Sequence, residues 1–123
     1  MPAYDPDNIF ARILRGEIPC KKVYEDEHAL AFHDIAPQTP THVLVIPKGA
    51  YVSFDDFSEK ASDAEIAGWV RAIGKVARDL GLPADGYRIL SNMGRDGHQE
   101  VPHLHMHLFA GKDLGRMIKP VEK

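Results

Sequence analysis

The sequence predicts an α+β fold, in which a five-stranded antiparallel sheet carries one short and one long helix. Five segments of the 123 residues have strand character, because they alternate in polarity or form short apolar runs between turn residues. Two further segments have helical periodicity and are not interleaved with the strands one by one, which favours α+β over a parallel α/β sheet. The length suits one domain, with residues 1–7 and 112–123 expected to be its terminal tails.

The chain begins with the short helix and the first two strands. Asp7 or Asn8 can cap the helix and Gly16 can end it. Residues 22–24 and 29–32 then form two predicted strands across an acidic turn. The apolar stripe of the helix comprises Ile9, Phe10, Ile13 and Leu14.

The middle of the chain supplies a central strand and the long helix. Residues 42–46 are apolar enough for a central strand, with His42 and Leu44 on one face. Residues 53–57 are a connector that can form a helical turn. Ser62 and Glu65 form a capping box before an apolar stripe that ends at Gly81. Residues 87–92 are the fourth predicted strand.

The fifth predicted strand, within residues 101–109, has the strongest chemical signal. From His103 to Leu108 polar and apolar residues alternate strictly. A strand puts residues two apart on the same face, whereas a helix scatters them. The pattern therefore predicts that His103, His105 and His107 line one face of the sheet.

Three interpretations of these histidines compete: a metal site, incidental surface histidines, and phosphate chemistry. On a strand, His103 and His107 begin roughly 13 Å apart, so the three cannot easily converge on one ion. A central imidazole can instead attack phosphorus while its neighbours donate hydrogen bonds. A lone imidazole titrates near about 6.5, but three this close share an apparent pKa.

Composition narrows the classes of partner. A net charge of −3 argues against a nucleic-acid groove, and no apolar run reaches the roughly 20 residues that span a bilayer. Cys20 is the single cysteine, so no internal disulfide can form. These features predict a cytoplasmic protein that binds neither nucleic acid nor a membrane.

Taken together, the motifs resemble those of the histidine triad family, in particular its Hint branch. The His-x-His-x-His pattern is its signature, and matching segments occur in the same order over residues 8–111. Those segments are Asn8-Ile9-Phe10, Gly16-Glu17-Ile18-Pro19, Ala31-Phe32-His33-Asp34, Pro40 to Lys48, and Gly97-His98-Gln99-Glu100.

The resemblance implies a nucleoside phosphoramidase that acts on purine nucleotides, with the same fold and a homodimer paired through the long helix and one sheet edge. His105 would be the nucleophile, flanked by His103 and His107 and supported by His42. Asp34 would accept hydrogen bonds from ribose hydroxyls. The α-phosphate would be contacted by the amides of Asn92 and Gln99. The base would be enclosed by Ile9, Phe10, Ile13, Phe32, Ile35 and Leu44.

The chain departs from the family pattern on the leaving-group side. Glu100 stands where many Hint proteins have Ser or Thr, and a carboxylate there favours an amine over a polyphosphate. His98 replaces a frequent glycine. The paired cysteines that hold a structural zinc in some bacterial relatives are absent, so no metal or other cofactor is expected. Two alternatives stay open: a dinucleoside polyphosphate hydrolase, and a non-catalytic nucleotide-binding partner protein.

Overall fold

A computed structural model describes residues 3–116 and residue 121. It confirms the α+β architecture with a five-stranded antiparallel sheet. The strands lie in the order β1-β2-β3-β5-β4 and pair antiparallel throughout. Their bounds are Lys22–Glu25 (β1), Ala29–His33 (β2), Thr41–Pro47 (β3), Arg88–Leu90 (β4) and Met106–Ala110 (β5).

Three α-helices accompany the sheet: Ile9–Leu14 (α1), Phe54–Lys60 (α2) and Asp63–Asp79 (α3). Asn8 caps α1, and the predicted capping box of Ser62 and Glu65 opens α3. The connector over residues 53–57 forms more structure than expected, because Ser53 and Asp56 make a second capping box that starts α2. A short 3-10 helix, Leu82–Ala84, follows Gly81, whose φ of 73° is left-handed.

The two faces of the sheet bury different clusters. Helix α3 covers one face, where Trp69 is 1% exposed and donates a hydrogen bond to the Val45 carbonyl at 3.1 Å. The opposite face packs Phe10 of α1 against Phe32 and Leu44. His42 lies two residues from Leu44 on β3, and His107 on β5 is the register partner of Leu44. Both histidines therefore belong to this second face. Helix α1 therefore covers the face that holds the histidines.

The fifth strand is shorter than the alternation predicts, and this corrects the placement of two histidines. Strand β5 begins at Met106, so His103 and His105 lie in the segment before it. The Leu104 amide donates to the Tyr51 carbonyl at 2.9 Å and therefore does not join the ladder with β3. His103, Leu104 and His105 are all buried, so the alternation of the sequence does not correspond to an alternation of burial in this segment.

The described residues near both ends of the chain contact the domain, where the sequence predicts tails. Tyr4 makes a side-chain contact with His103, and Arg88 donates to the Gly115 carbonyl at 2.6 Å. The remainder of the predicted C-terminal tail, residues 117–120 and 122–123, lies outside the described residues. Among the residues that are described, no helix is both long and apolar enough for a membrane span.

Candidate active site

Four imidazoles meet beneath helix α1 and at the start of β5. His42 is 2% exposed, His103 is fully buried and His105 is 5% exposed. Phe10 of α1 lies edge-on to His105 with the ring centroids 5.0 Å apart. The structure therefore brings the predicted triad and its supporting histidine into one cluster, although only His42 and His107 stand on strands.

The protonation of His105 follows from its hydrogen bond to the main chain. Its Nδ1 lies 2.7 Å from the His103 carbonyl oxygen, which can only accept, so Nδ1 carries the proton. The lone pair of the neutral ring is then on Nε2. The segment itself is anchored, because Ser91 Oγ donates to the His105 carbonyl at 2.6 Å. His105 thus presents an unprotonated nitrogen from a fixed backbone.

His103 has the opposite tautomer. Its Nε2 lies 2.8 Å from the Pro47 carbonyl and must donate to it. Its Nδ1 is then an acceptor, and the Tyr4 hydroxyl donates to it at 2.7 Å. Both ring nitrogens are satisfied in the interior, so His103 is held in place and has no nitrogen left for a substrate.

His42 and His107 form a directed pair. The main-chain amide of Gln38 donates to His42 Nδ1 at 3.1 Å. The proton of the neutral ring is therefore on Nε2. That Nε2–H donates to His107 Nδ1 at 2.9 Å. His107 must then carry its own proton on Nε2, which is buried and has no partner among the described residues. A buried donor of this kind is costly unless a ligand accepts from it.

Burial favours the neutral form of all four rings. Desolvation lowers the pKa of His103 to about 4. Desolvation first, and then the neighbouring His105 and His42, lower the pKa of His107 to about 4. Burial also lowers the pKa values of His105 and His42, against an opposing effect of the Asp34 carboxylate on each. The neutral form that a nucleophilic imidazole needs is therefore favoured.

The predicted base-binding residues separate into a buried wall and an exposed rim. Phe10, Phe32 and Leu44 are each at most 7% exposed and pack together, with Ile13 partly buried against them. Ile9 is 46% exposed and Ile35 is 99% exposed. The two exposed isoleucines do not help to form the core, so their burial requires a ligand or another chain.

Asp34 and Asn92 lie on opposite sides of His107. Asp34 Oδ1 accepts from the Ala36 amide at 2.8 Å, while Oδ2 lies 3.4 Å from His42 Nε2. Asn92 and His107 both line a cleft of about 350 Å³ over β4 and β5, whose rim carries the basic side chains of Arg88 and Lys112. Asp34 can therefore accept from a ligand, and Asn92 has an open side toward one.

The Gln99 side chain binds main-chain groups in this structure, whereas the resemblance implies that it contacts the α-phosphate. Its Nε2 donates to the carbonyls of Val52 at 2.6 Å and Val101 at 3.1 Å, and its Oε1 accepts from the Gly94 amide at 3.0 Å. Both amide hydrogens are used here, so a contact with phosphate would require one of these bonds to be exchanged. Gln99 instead braces the loop that precedes the triad.

The same loop carries the two departures from the family pattern. His98 is exposed and adopts a left-handed φ of 58°, a conformation that a glycine would adopt without strain. Glu100 is exposed and close enough for its charge to raise the pKa of His105 against the larger effect of burial. Glu100 thus acts electrostatically on the predicted nucleophile.

A metal, if one were bound, would find a different set of ligands from the triad. Among the described residues, Asp34, His42 and His107 offer ligand atoms that all lie within 4.8 Å of one another. His103 and His105 are outside this set, since hydrogen bonds hold three of their four ring nitrogens. A metal held by these three residues would compete with the hydrogen bond between His42 and His107.

Sequence reasoning missed the groups that orient the imidazoles. Tyr4 and Ser91 are polar side chains in unremarkable contexts, and the acceptor at Pro47 is a main-chain carbonyl. Tyr4 is 99 positions from His103 in the chain. No periodicity or motif in the sequence could have paired them, because these contacts arise only from the tertiary fold.

Comparison with known proteins places the site in a family context. A family model described as the HIT domain matches residues 15–114. A 13.2 kDa HIT-like protein of Azospirillum brasilense is 72% identical over 115 residues, covering 94% of each chain. The purine nucleoside phosphoramidase of Escherichia coli K12 is 42% identical over 112 residues, covering 91% of this chain and 93% of that protein.

Solved structures agree with these sequence matches. A histidine triad protein from Clostridium difficile superposes with a TM-score of 0.81 at 43% identity, covering 93% of this chain and 98% of the other. A HIT family hydrolase from Clostridium thermocellum gives 0.79 at 36% identity, covering 92% and 97% respectively. The similarity therefore extends over nearly all of both chains.

Proposed function

The chain belongs to the histidine triad (HIT) family, in its Hint-like branch, and on that premise we propose that it hydrolyses purine nucleoside 5′-phosphoramidates at the phosphorus–nitrogen bond. The observation that carries the proposal is the tautomer of His105, whose Nδ1–H is bound to the His103 carbonyl and whose Nε2 is free to attack. The similarity to a purine nucleoside phosphoramidase supports the choice of substrate.

In the first step, Nε2 of His105 attacks the α-phosphorus. A bond forms between nitrogen and phosphorus, and the bond from phosphorus to the amine breaks. The amine leaves with that electron pair and takes up a proton from solvent. The His105 ring gains positive charge as it forms the nucleotidyl-histidine, and its Nδ1–H hydrogen bond to the His103 carbonyl becomes stronger as it does so. Water then attacks phosphorus, and the bond from phosphorus to Nε2 breaks with its electron pair returning to the ring. The water gives up a proton to solvent, and the nucleoside monophosphate and neutral His105 are released.

His107 is proposed to stabilise the charge on the phosphoryl oxygens. Its Nε2–H is the buried donor that lacks a partner within the described part of the chain, and His42 fixes that proton from the other side of the ring. A preorganised donor in a site shielded from water is worth more than one in solution. Asn92, which lines the adjoining cleft, is proposed to supply a second donor.

Specificity is proposed to come from both ends of the substrate. The ribose hydroxyls donate to Asp34, and the purine lies between the buried wall at Phe10 and Phe32 and the exposed Ile35. On the leaving-group side, the negative Glu100 opposes a polyphosphate and tolerates an amine. His98 is assigned to the same side.

One comparison tests the activity. The protein is incubated, free of added metal, with an adenosine 5′-phosphoramidate and separately with a dinucleoside tetraphosphate, and release of the monophosphate is followed. We expect faster turnover of the phosphoramidate. Preference for the tetraphosphate would replace this proposal by the dinucleoside polyphosphate hydrolase, and nucleotide binding without turnover would indicate a binding protein.

The proposal also covers the location and the oligomeric state of the enzyme. We expect a cytoplasmic homodimer. A dimer is supported by the half-exposed apolar side chains of Val70 on α3 and Ile89 on β4, together with the position of β4 at the sheet edge. Light scattering on the eluting protein measures its mass directly, and a monomer mass at micromolar concentration would contradict this part.

A further inference from the structure

The N-terminal strap, defined as residues 4–7, reaches the most deeply buried histidine of the site. The Tyr4 hydroxyl lies 2.7 Å from His103 Nδ1, and the two rings meet edge to face with centroids 5.6 Å apart. His103 is fully buried. A residue that the sequence places in a terminal tail therefore completes the surroundings of a triad histidine.

The direction of this hydrogen bond is fixed by the other side of the ring. His103 Nε2 must donate to the Pro47 carbonyl, so the neutral ring can only accept at Nδ1. The Tyr4 hydroxyl is consequently the donor. Without it, Nδ1 would be an unsatisfied acceptor in the interior, and the tautomer of His103 would be specified from one side alone.

Hydrogen bonds hold the strap in place and so restrict the position of the Tyr4 side chain. The Asp5 carbonyl accepts from both the amide and the side-chain nitrogen of Asn8, the buried cap of α1, at 3.2 and 2.7 Å. Arg15 donates to the Pro6 carbonyl at 2.7 Å. The two caps of α1, Asn8 and Arg15, thus anchor the strap at Asp5 and Pro6, the two residues directly after Tyr4.

We propose that Tyr4 is a positioning residue for the nucleophile and acts through His103. Tyr4 and the Pro47 carbonyl clamp the two nitrogens of the His103 ring. The clamped residue supplies the carbonyl that accepts from His105 Nδ1–H at 2.7 Å, and this bond decides which nitrogen of His105 is free. The catalytic consequence rests on the proposed function, whereas the coupling between Tyr4 and the His105 ring does not.

Tyr4→Phe tests the proposal, because it keeps the aromatic packing and removes only the hydroxyl. We expect kcat with the phosphoramidate to fall roughly two- to tenfold, the range that the loss of one buried hydrogen bond allows, while KM stays unchanged. Tyr24→Phe is the matched control: it removes a tyrosine hydroxyl bond of the same 2.7 Å, to Asp26 on the turn after β1. It should leave kcat and KM as they are.

Nitrogen NMR of the histidine rings supplies a readout that does not depend on turnover. In Tyr4→Phe we expect the unprotonated His103 Nδ1 to shift as it loses its donor, and the His105 Nδ1–H signal to shift with it. Neither should move in Tyr24→Phe. A change confined to His103, with His105 and kcat unaffected, would overturn the proposal. If the wild-type protein does not cleave phosphoramidates but both signals shift, the proposed function fails and the coupling stands.

Discussion

The carbonyl oxygen of His103 accepts a hydrogen bond from Nδ1 of His105 at 2.7 Å. Two members of the triad are therefore linked through the main chain of one and the ring of the other. This bond selects the tautomer in which Nε2 of His105 is unprotonated, and it can strengthen as positive charge develops on the ring. His103 contributes by its backbone, which explains why its own ring can be committed to Pro47 and Tyr4.

Asp34→Ala should weaken the binding of a ribonucleotide more than that of the matching deoxyribonucleotide. The substitution removes an ionised acceptor for the ribose hydroxyls, and a hydrogen bond to a charged group is worth about 1.5–3 kcal/mol. We expect a loss of roughly tenfold or more in affinity for the ribonucleotide. Isothermal titration calorimetry with both sugars measures it.

The comparison between sugars also removes a complication that the structure reveals. Asp34 Oδ2 lies 3.4 Å from His42 Nε2, so Asp34→Ala disturbs the imidazole pair as well. That disturbance affects both nucleotides alike and cancels in the ratio of their affinities. Equal weakening of both sugars would exclude Asp34 as the ribose acceptor.

The pH dependence of kcat/KM should be displaced toward acid, because kcat/KM reports the pKa values of the free enzyme. Attack requires neutral His105, and burial lowers its pKa from the ordinary value of 6.5. The pKa values of His103 and His107 are lowered further, to about 4. As the pH falls, kcat/KM should therefore stay level through 6.5 and decline only at more acidic pH, contrary to the expectation for an unperturbed imidazole. An acid limb with its midpoint at or above 6.5 would contradict this.

Activity should survive dialysis against a strong chelator. The proposed chemistry uses imidazole and amide donors, and within the described residues the metal-like grouping of Asp34, His42 and His107 already contains an internal hydrogen bond. The measurement is turnover of the phosphoramidate before and after dialysis, with metal content determined on the same samples. Loss of turnover that zinc restores would establish a metal-dependent reaction instead.

The sequence predicted the sheet, the helix caps and the cluster of histidines because these depend on local periodicity and on side chains close in the chain. The alternation from His103 to Leu108 predicts a strand, but it cannot show that β5 starts only at Met106. The ladder stops there because the Leu104 amide pairs with the Tyr51 carbonyl, a partner from a different part of the chain.

At the site, too, the contacts that the sequence could not predict involve partners from distant parts of the chain. Gln99 is a suitable phosphate donor by residue type, yet three main-chain groups occupy its amide, among them the distant Val52 carbonyl. The contact of Tyr4 with His103 likewise joins opposite ends of the chain. Residue chemistry can be read from sequence, whereas the partner that saturates a group is set by tertiary structure.

His105→Ala should abolish turnover while the nucleotide still binds. The substitution removes the attacking Nε2, but most of the proposed pocket is formed by other residues, including Asp34 and Phe32. His105→Gly should behave in the same way. His103→Ala should reduce turnover without abolishing it, because it removes the clamped ring but leaves the main-chain carbonyl that accepts from His105 Nδ1–H. Steady-state kinetics and calorimetry on the same preparations separate loss of chemistry from loss of binding.

The covalent intermediate gives the decisive measurement. A bond between phosphorus and histidine nitrogen is labile in acid, so the reaction should be stopped in alkali and digested for mass spectrometry. We expect a nucleotidyl adduct on the peptide that contains His105, absent from His105→Ala and present in Tyr24→Phe, whose substitution lies away from the site. An adduct on another residue, or substantial turnover by His105→Ala, would refute nucleophilic attack by His105. The fold and family assignment would be unaffected, since neither depends on which imidazole reacts.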